Sequence, residues 1–274
     1  VRFGFTARRD FGVNTLRAFL GIVDRHTVVV TVLAVLSTHV ALTLGLSAEM
    51  PADIISVAVI FPFVFSIHAA YTRREEALRY LASLRSHAAA LYVAHRDWQR
   101  EGDDGGHAAR GRRQIVECLD AVQAYLRNAG RAGTGTRQAV YARFSVMSGS
   151  LEELRRSGLS DTEVSRANQY LRSMIADYEL LANIAVYRTP VPLRAYSHVF
   201  LNTFPVLVGP HFAYISEAYY VGVGYAVAVL YSLVLVSLDN IKEELEDPFD
   251  ARGPDDVELQ DAREFDQIAL APAP

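Results

Sequence analysis

Apolar and polar positions along this chain fall into long blocks. From Thr27 to Ala48 the run TVVVTVLAVLSTHVALTLGLSA holds no Asp, Glu, Lys or Arg, and Ile54 to Tyr71, IISVAVIFPFVFSIHAAY, repeats the pattern. A second pair follows at Ala195 to Ile215 and Ala218 to Leu238, again without a charged side chain. Each run has the length a helix needs to cross about 30 Å of hydrocarbon. The pattern predicts an all-α chain with four transmembrane helices per subunit. A soluble protein with buried core helices is the alternative, and four such runs are hard to bury in a chain of 274 residues.

Between the pairs the period changes. From Arg73 to Gln99 and from Gln114 to Asn128, apolar residues recur every three or four positions (Leu78, Leu81, Leu84; Ile115, Leu119, Val122, Leu126), which predicts amphipathic helices outside the membrane. The Gly-rich stretches EGDDGGHAARG and NAGRAGTGTR interrupt them. Ser160 and Glu163 have the spacing of a capping box that opens a helix toward Tyr187, and RTPVP stops it because proline cannot continue a helix. The chain thus divides into an amino-terminal cytoplasmic segment 1–26, transmembrane helices 1 and 2 at 27–71, a helical cytoplasmic region 72–194, transmembrane helices 3 and 4 at 195–238, and an acidic carboxyl-terminal segment 239–274.

Charge fixes an expected orientation. Arg17 and Arg25 precede the first run, Arg73, Arg74 and Arg79 follow the second, Arg188 and Arg194 precede the third, and Lys242 follows the fourth. The short connectors offer only acids, Glu49 and Asp53 in one and Glu217 in the other. By the positive-inside tendency both termini and the central region share the cytoplasmic or stromal side. A formal net charge of -4 gives no footprint for nucleic acid. Cys118 is the only cysteine, so the sequence has no CxxC pair, and it shows neither HExxH nor GxSxG. Nothing here predicts an enzyme or an obligatory cofactor. The first residue is Val1 rather than Met, so a preceding segment is expected.

Three strings carry a family resemblance: YRTPVPLRAY (187–196), KEELEDPFD (242–250) and the second run continuing into AAYTRREEAL (69–78). Together, in order and with the expected spacing from Leu16 to Glu258, they resemble the bestrophin anion channels. The wording of AYTRREEAL and DPFDARGPDDVEL is similar to algal bestrophins, some of which are fused to rhodopsin domains. The resemblance implies a homopentamer in lipid with one central pore lined by the second run, conducting chloride, bicarbonate or other monovalent anions. It places the pore neck at Val57, Phe61 and Phe65 and a cytoplasmic aperture at Val164. It also implies a Ca²⁺ clasp in the acidic run, with Asp255 and Asp256 as side-chain ligands and Glu244 and Asp247 offering backbone oxygens.

Each of these positions also has a plainer reading. Val57, Phe61 and Phe65 are spaced i, i+4, i+8 and share a helix face, which suits three apolar rings or ordinary helix and lipid packing. Pro62 lies within that stripe and removes one helical N–H, so a local bend is expected. Val164 follows the capping box by one residue and is equally a buried valine of a first turn. His68 and Tyr71 face either the pore or neighbouring helices. The acidic run suits the six to eight oxygens of calcium, but Ala251, Arg252, Gly253 and Pro254 interrupt it, and a solvated turn that ends the helix is the other reading. A non-conducting scaffold or regulatory subunit, and an alternating-access carrier, are the competing functions.

Overall fold

A computed structural model of the protein describes residues 23–98, 106–128, 134–187, 190–250 and 256–257. Eight α-helices and no strand occur among the described residues: α1 (Arg25–Leu44), α2 (Ala52–Asp97), α3 (Gly106–Asn128), α4 (Thr134–Arg156), α5 (Asp161–Val186), α6 (Val191–Leu207), α7 (Gly209–Ala218) and α8 (Val221–Glu246). They form two compact units. The first holds the chain up to Ala70 together with Thr189–Leu245, and the second holds Tyr71–Arg188 and the chain from Glu246.

Three helical runs among the described residues, not four, are long and apolar enough to cross a membrane: Arg25–Leu44, Pro192–Ala218 and Val221–Glu246. The expectation of four transmembrane helices is corrected on this finding. The apolar stretch Ile54 to Tyr71 is no self-contained span, because it continues without interruption into the arginine- and glutamate-bearing turns that follow and forms the first part of the 46-residue α2. Helical structure also passes through position 62 without a break.

Local chemistry sets the helix ends. Asp24 caps α1 by accepting from Thr27 N at 2.8 Å, and Gly45, at φ 65, ends it in the left-handed region with Leu46 N donating to Ala41 O. Ser160 and Glu163 form the expected capping box on α5. That helix ends at Val186, and Pro190 and Pro192 then open α6, where a missing N–H costs nothing.

The expected third span is not one helix. It breaks at Val208 into α6 and α7, with Pro205 inside the former and Pro210 in the first turn of the latter. Proline at 210 has no N–H to give the carbonyl of Val206, and the Ser37 hydroxyl of α1 donates to that oxygen instead at 2.7 Å. The backbones approach closely there, since a Cβ on Gly209 would lie 2.2 Å from Ser37 Oγ and 3.0 Å from the Ser37 carbonyl carbon. Small residues at such crossings are the usual device of helices packed in lipid.

The core of the first unit is built from Phe63 of α2, Leu201 and Phe204 of α6, Val208, Phe212 of α7, and Ala228 and Leu235 of α8. The second unit packs α3, α4 and α5 with the later part of α2 around Leu84, Leu91, Ile115, Met147, Met174 and Tyr178. Of the expected apolar positions, Leu81, Leu84, Ile115, Val122 and Leu126 are buried and Leu119 is half-buried, whereas Leu78 is exposed. Arg73 donates to the Ile184 carbonyl and ties α2 to α5 inside this unit.

Candidate functional site

A 3.6-residue period gives α2 two unlike faces in the first unit. Phe63, Ser66 and Ala70 are at most 2% exposed, whereas Val57, Phe61 and Phe65 are 64%, 62% and 58% exposed. Val64 shares the open face, and the rings of Phe61 and Phe65 meet edge-on at 4.9 Å. The stripe read from the spacing therefore forms a continuous apolar ridge. His68 continues it on the exposed side of the helix; Tyr71, the first residue of the second unit, is also exposed.

The other expected site residues belong to other elements. Val164 is half-buried in the first turn of α5, against the core of the second unit. Asp255 lies outside the described residues. Glu244 is exposed near the end of α8, and Asp247 and Asp256 are half-buried. No group of three or more His, Cys, Asp or Glu able to hold a metal ion occurs among the described residues. What organises the acidic run is apolar: Phe249 and Val257 are 2% and 4% exposed in the core of the second unit, and Val257 N donates to Pro248 O at 2.8 Å. Cys118 is fully buried, and burial pushes its thiol up to about 12, far from a nucleophile's range.

A polar cluster that no sequence spacing foretold sits where α1 begins and α8 ends. Lys242, the only lysine of the chain, is 1% exposed. Its Nζ donates to Ser197 Oγ at 2.8 Å and lies 3.6 Å from Asp239 Oδ1. Asp239, itself 3% exposed, accepts from His198 Nδ1 through its other oxygen at 3.2 Å. The His198 ring stacks on His26 of α1 at 5.9 Å, and His26 Nε2 is 2.8 Å from Asn202 Oδ1. Asn240 donates to Thr27 Oγ1 at 3.2 Å. The signal in the sequence is slight: one lysine, and one aspartate just beyond the apolar run.

Neither a protein-family profile nor a curated protein matches the chain. Solved structures do. A bacterial bestrophin homologue from Klebsiella pneumoniae with an isoleucine-to-threonine substitution is 17% identical, with a TM-score of 0.75 covering 89% of this chain and 99% of its own. The Klebsiella pneumoniae homologue phased on zinc is also 17% identical, with a TM-score of 0.74 over 89% of this chain and 96% of its own. A membrane protein with a proline-to-alanine substitution is 18% identical and gives 0.72 over 90% and 98%. At these identities the likeness is one of fold, and it extends over nearly the whole of both chains. With three membrane-crossing helical runs and this likeness, the chain is an integral multi-pass membrane protein with the bestrophin fold.

Proposed function

We propose that the protein is a bestrophin-type anion channel, a homopentamer in which the exposed ridge of α2 from each subunit lines one central pore. The observation that carries this reading is the open apolar face of Val57, Phe61 and Phe65 in a chain of this fold. The same face runs on through His68, which is exposed. A histidine facing hydrocarbon is expensive, whereas facing a water-filled axis it is not.

Five copies of the ridge make rings of Val57, Phe61 and Phe65, a constriction that gates by dewetting rather than by charge. Chloride, bicarbonate or another monovalent anion is the permeant class. Selectivity without a ring of arginines draws on helix N-termini, such as that of α5, where Val164 forms the second, cytoplasmic narrowing. Planar-bilayer recording of the purified protein in asymmetric chloride tests the proposal. A reversal potential near that of chloride is expected. Assembled protein that passes no current would identify a non-conducting scaffold instead.

A further inference from the structure

We propose that the groove between α4 and α5 is a binding site for a small organic anion, a single acid group carried on an apolar body. The groove lies within the second unit and has a volume of about 530 Å³, in the range of small-molecule sites. Its two ends differ. Tyr178 of α5 packs its ring on Tyr141 of α4 at 6.0 Å and on Phe144 at 5.7 Å, which sets the two helices level there. Tyr141, Phe144 and Ile175 line this end and make it apolar. The wall is preformed, because Phe144 and Tyr178 are at most 3% exposed and the Tyr141 hydroxyl donates to Glu179, which also holds Arg137. Tyr141 therefore brings a ring to the lining while its hydroxyl proton is engaged.

Toward the turn that joins the helices the lining becomes polar. Ser145 and Ser148 are three residues apart on α4, and Asn168 and Arg172 four apart on α5, so each pair shares a helix face. All four are exposed. None of the described residues that line the groove is acidic, and Arg172 forms no ion pair among the described residues. Two hydroxyls, an amide and an unpaired guanidinium are the donor set a carboxylate takes, and the guanidinium fork meets both of its oxygens together. A cation finds no counter-charge here. A wholly apolar ligand would strip water from Arg172 without replacing its hydrogen bonds. An amphipathic anion satisfies both ends, with its acid at Arg172 and its body toward Phe144 and Ile175.

The test uses the full-length protein in nanodiscs and a trifluoromethyl-substituted benzoate as the probe, followed by fluorine NMR line broadening with empty nanodiscs as the background. Saturable broadening is expected with the parent. Arg172→Gln removes the charged fork from an exposed position and should weaken binding by about 10-fold or more. Ser145→Trp fills the groove, also from an exposed position, and should abolish binding. Arg143→Gln removes a guanidinium of α4 that pairs with Glu117 at 2.6 Å and does not line the groove, and should leave binding unchanged. If the parent broadens the signal no more than empty nanodiscs do, or if Arg172→Gln and Ser145→Trp bind as the parent does, the proposal is overturned. A neighbouring subunit seated on the groove would give the first of these results. The readout is independent of conduction: a protein that takes the probe but passes no current refutes the channel reading and leaves this site standing.

Discussion

Acid will loosen the second unit through His95. This residue lies near the end of α2 and is 2% exposed, with Ser150 Oγ 3.3 Å from its Nε2. Its ring is covered so closely by Gly111 that a Cβ there would stand 2.9 Å from His95 Cγ. Burial lowers its pKa from 6.5 to about 4, and the positive potential of His107 and Arg110 adds to the effect. The folded state is thus the poorer proton binder. As pH falls below 6.5 the unfolded chain takes the proton first, and stability is lost progressively until about pH 4, below which no more is lost. The gap between 6.5 and about 4 corresponds to about 3 kcal/mol in full, of which about 2 kcal/mol is gone at pH 5. In exchange terms that is a loss of about 30-fold in the protection of the most stable amides of α3 and α4. Hydrogen exchange on those peptides between pH 7 and 5, for the parent and for His95→Gln, measures it directly. The parent should lose protection steeply and the variant should have a flattened slope. Equal slopes, or a gain of protection in the parent, would refute the assignment.

Four further outcomes follow from the packing. Phe61→Ala or Phe65→Ala widens an apolar ring and should raise open probability in single-channel records; records indistinguishable from the parent would remove the ridge from the pore. Val164→Ala should change relative permeability among anions of different size in bi-ionic recordings more than it changes gating. Gly209→Ala pushes a methyl against Ser37, 3.0 Å from its carbonyl carbon, and should destabilise the first unit by about 1–3 kcal/mol, seen as a lower melting midpoint in detergent. Phe249→Ala empties a site 2% exposed and should cost about 3–5 kcal/mol in the second unit, whether or not calcium is present; a cost seen only in chelator would favour a metal clasp over an apolar anchor.

The features legible in the sequence are those whose partners lie close along it. The capping box of Ser160 and Glu163, the proline stop after Tyr187 and the shared face of Val57, Phe61 and Phe65 all follow from spacing within two or three turns. Hydropathy alone misjudged α2, because an apolar run looks the same whether it ends at a loop or continues as a longer polar helix. It also read Ala195 to Ile215 as a single span, although the compensation that permits the break at Val208 comes from Ser37, 169 residues away. Lys242 shows the same limit. Counted by position it is an interfacial positive charge, yet it is 1% exposed. The aspartate beside it and the imidazole 41 residues away could not be joined by any periodicity.

The hydroxyl of Ser37 has a consequence for biogenesis. Pro210 leaves the Val206 carbonyl without its regular i+4 helical donor, and a hydroxyl from another helix, that of Ser37, bonds it instead; a poorly paired carbonyl in hydrocarbon is costly. The segment from Pro192 to Ala218 is also interrupted by Pro205 and Pro210, so it is poorly suited to enter lipid alone. Helix α1 is synthesised earlier and presents both the donor at Ser37 and the shallow surface that accepts Gly209. Stable integration of the broken segment is therefore expected to depend on the presence of the first helix. A lesion at Ser37 would surface as a failure of membrane integration in the later half of the chain, far from the altered codon.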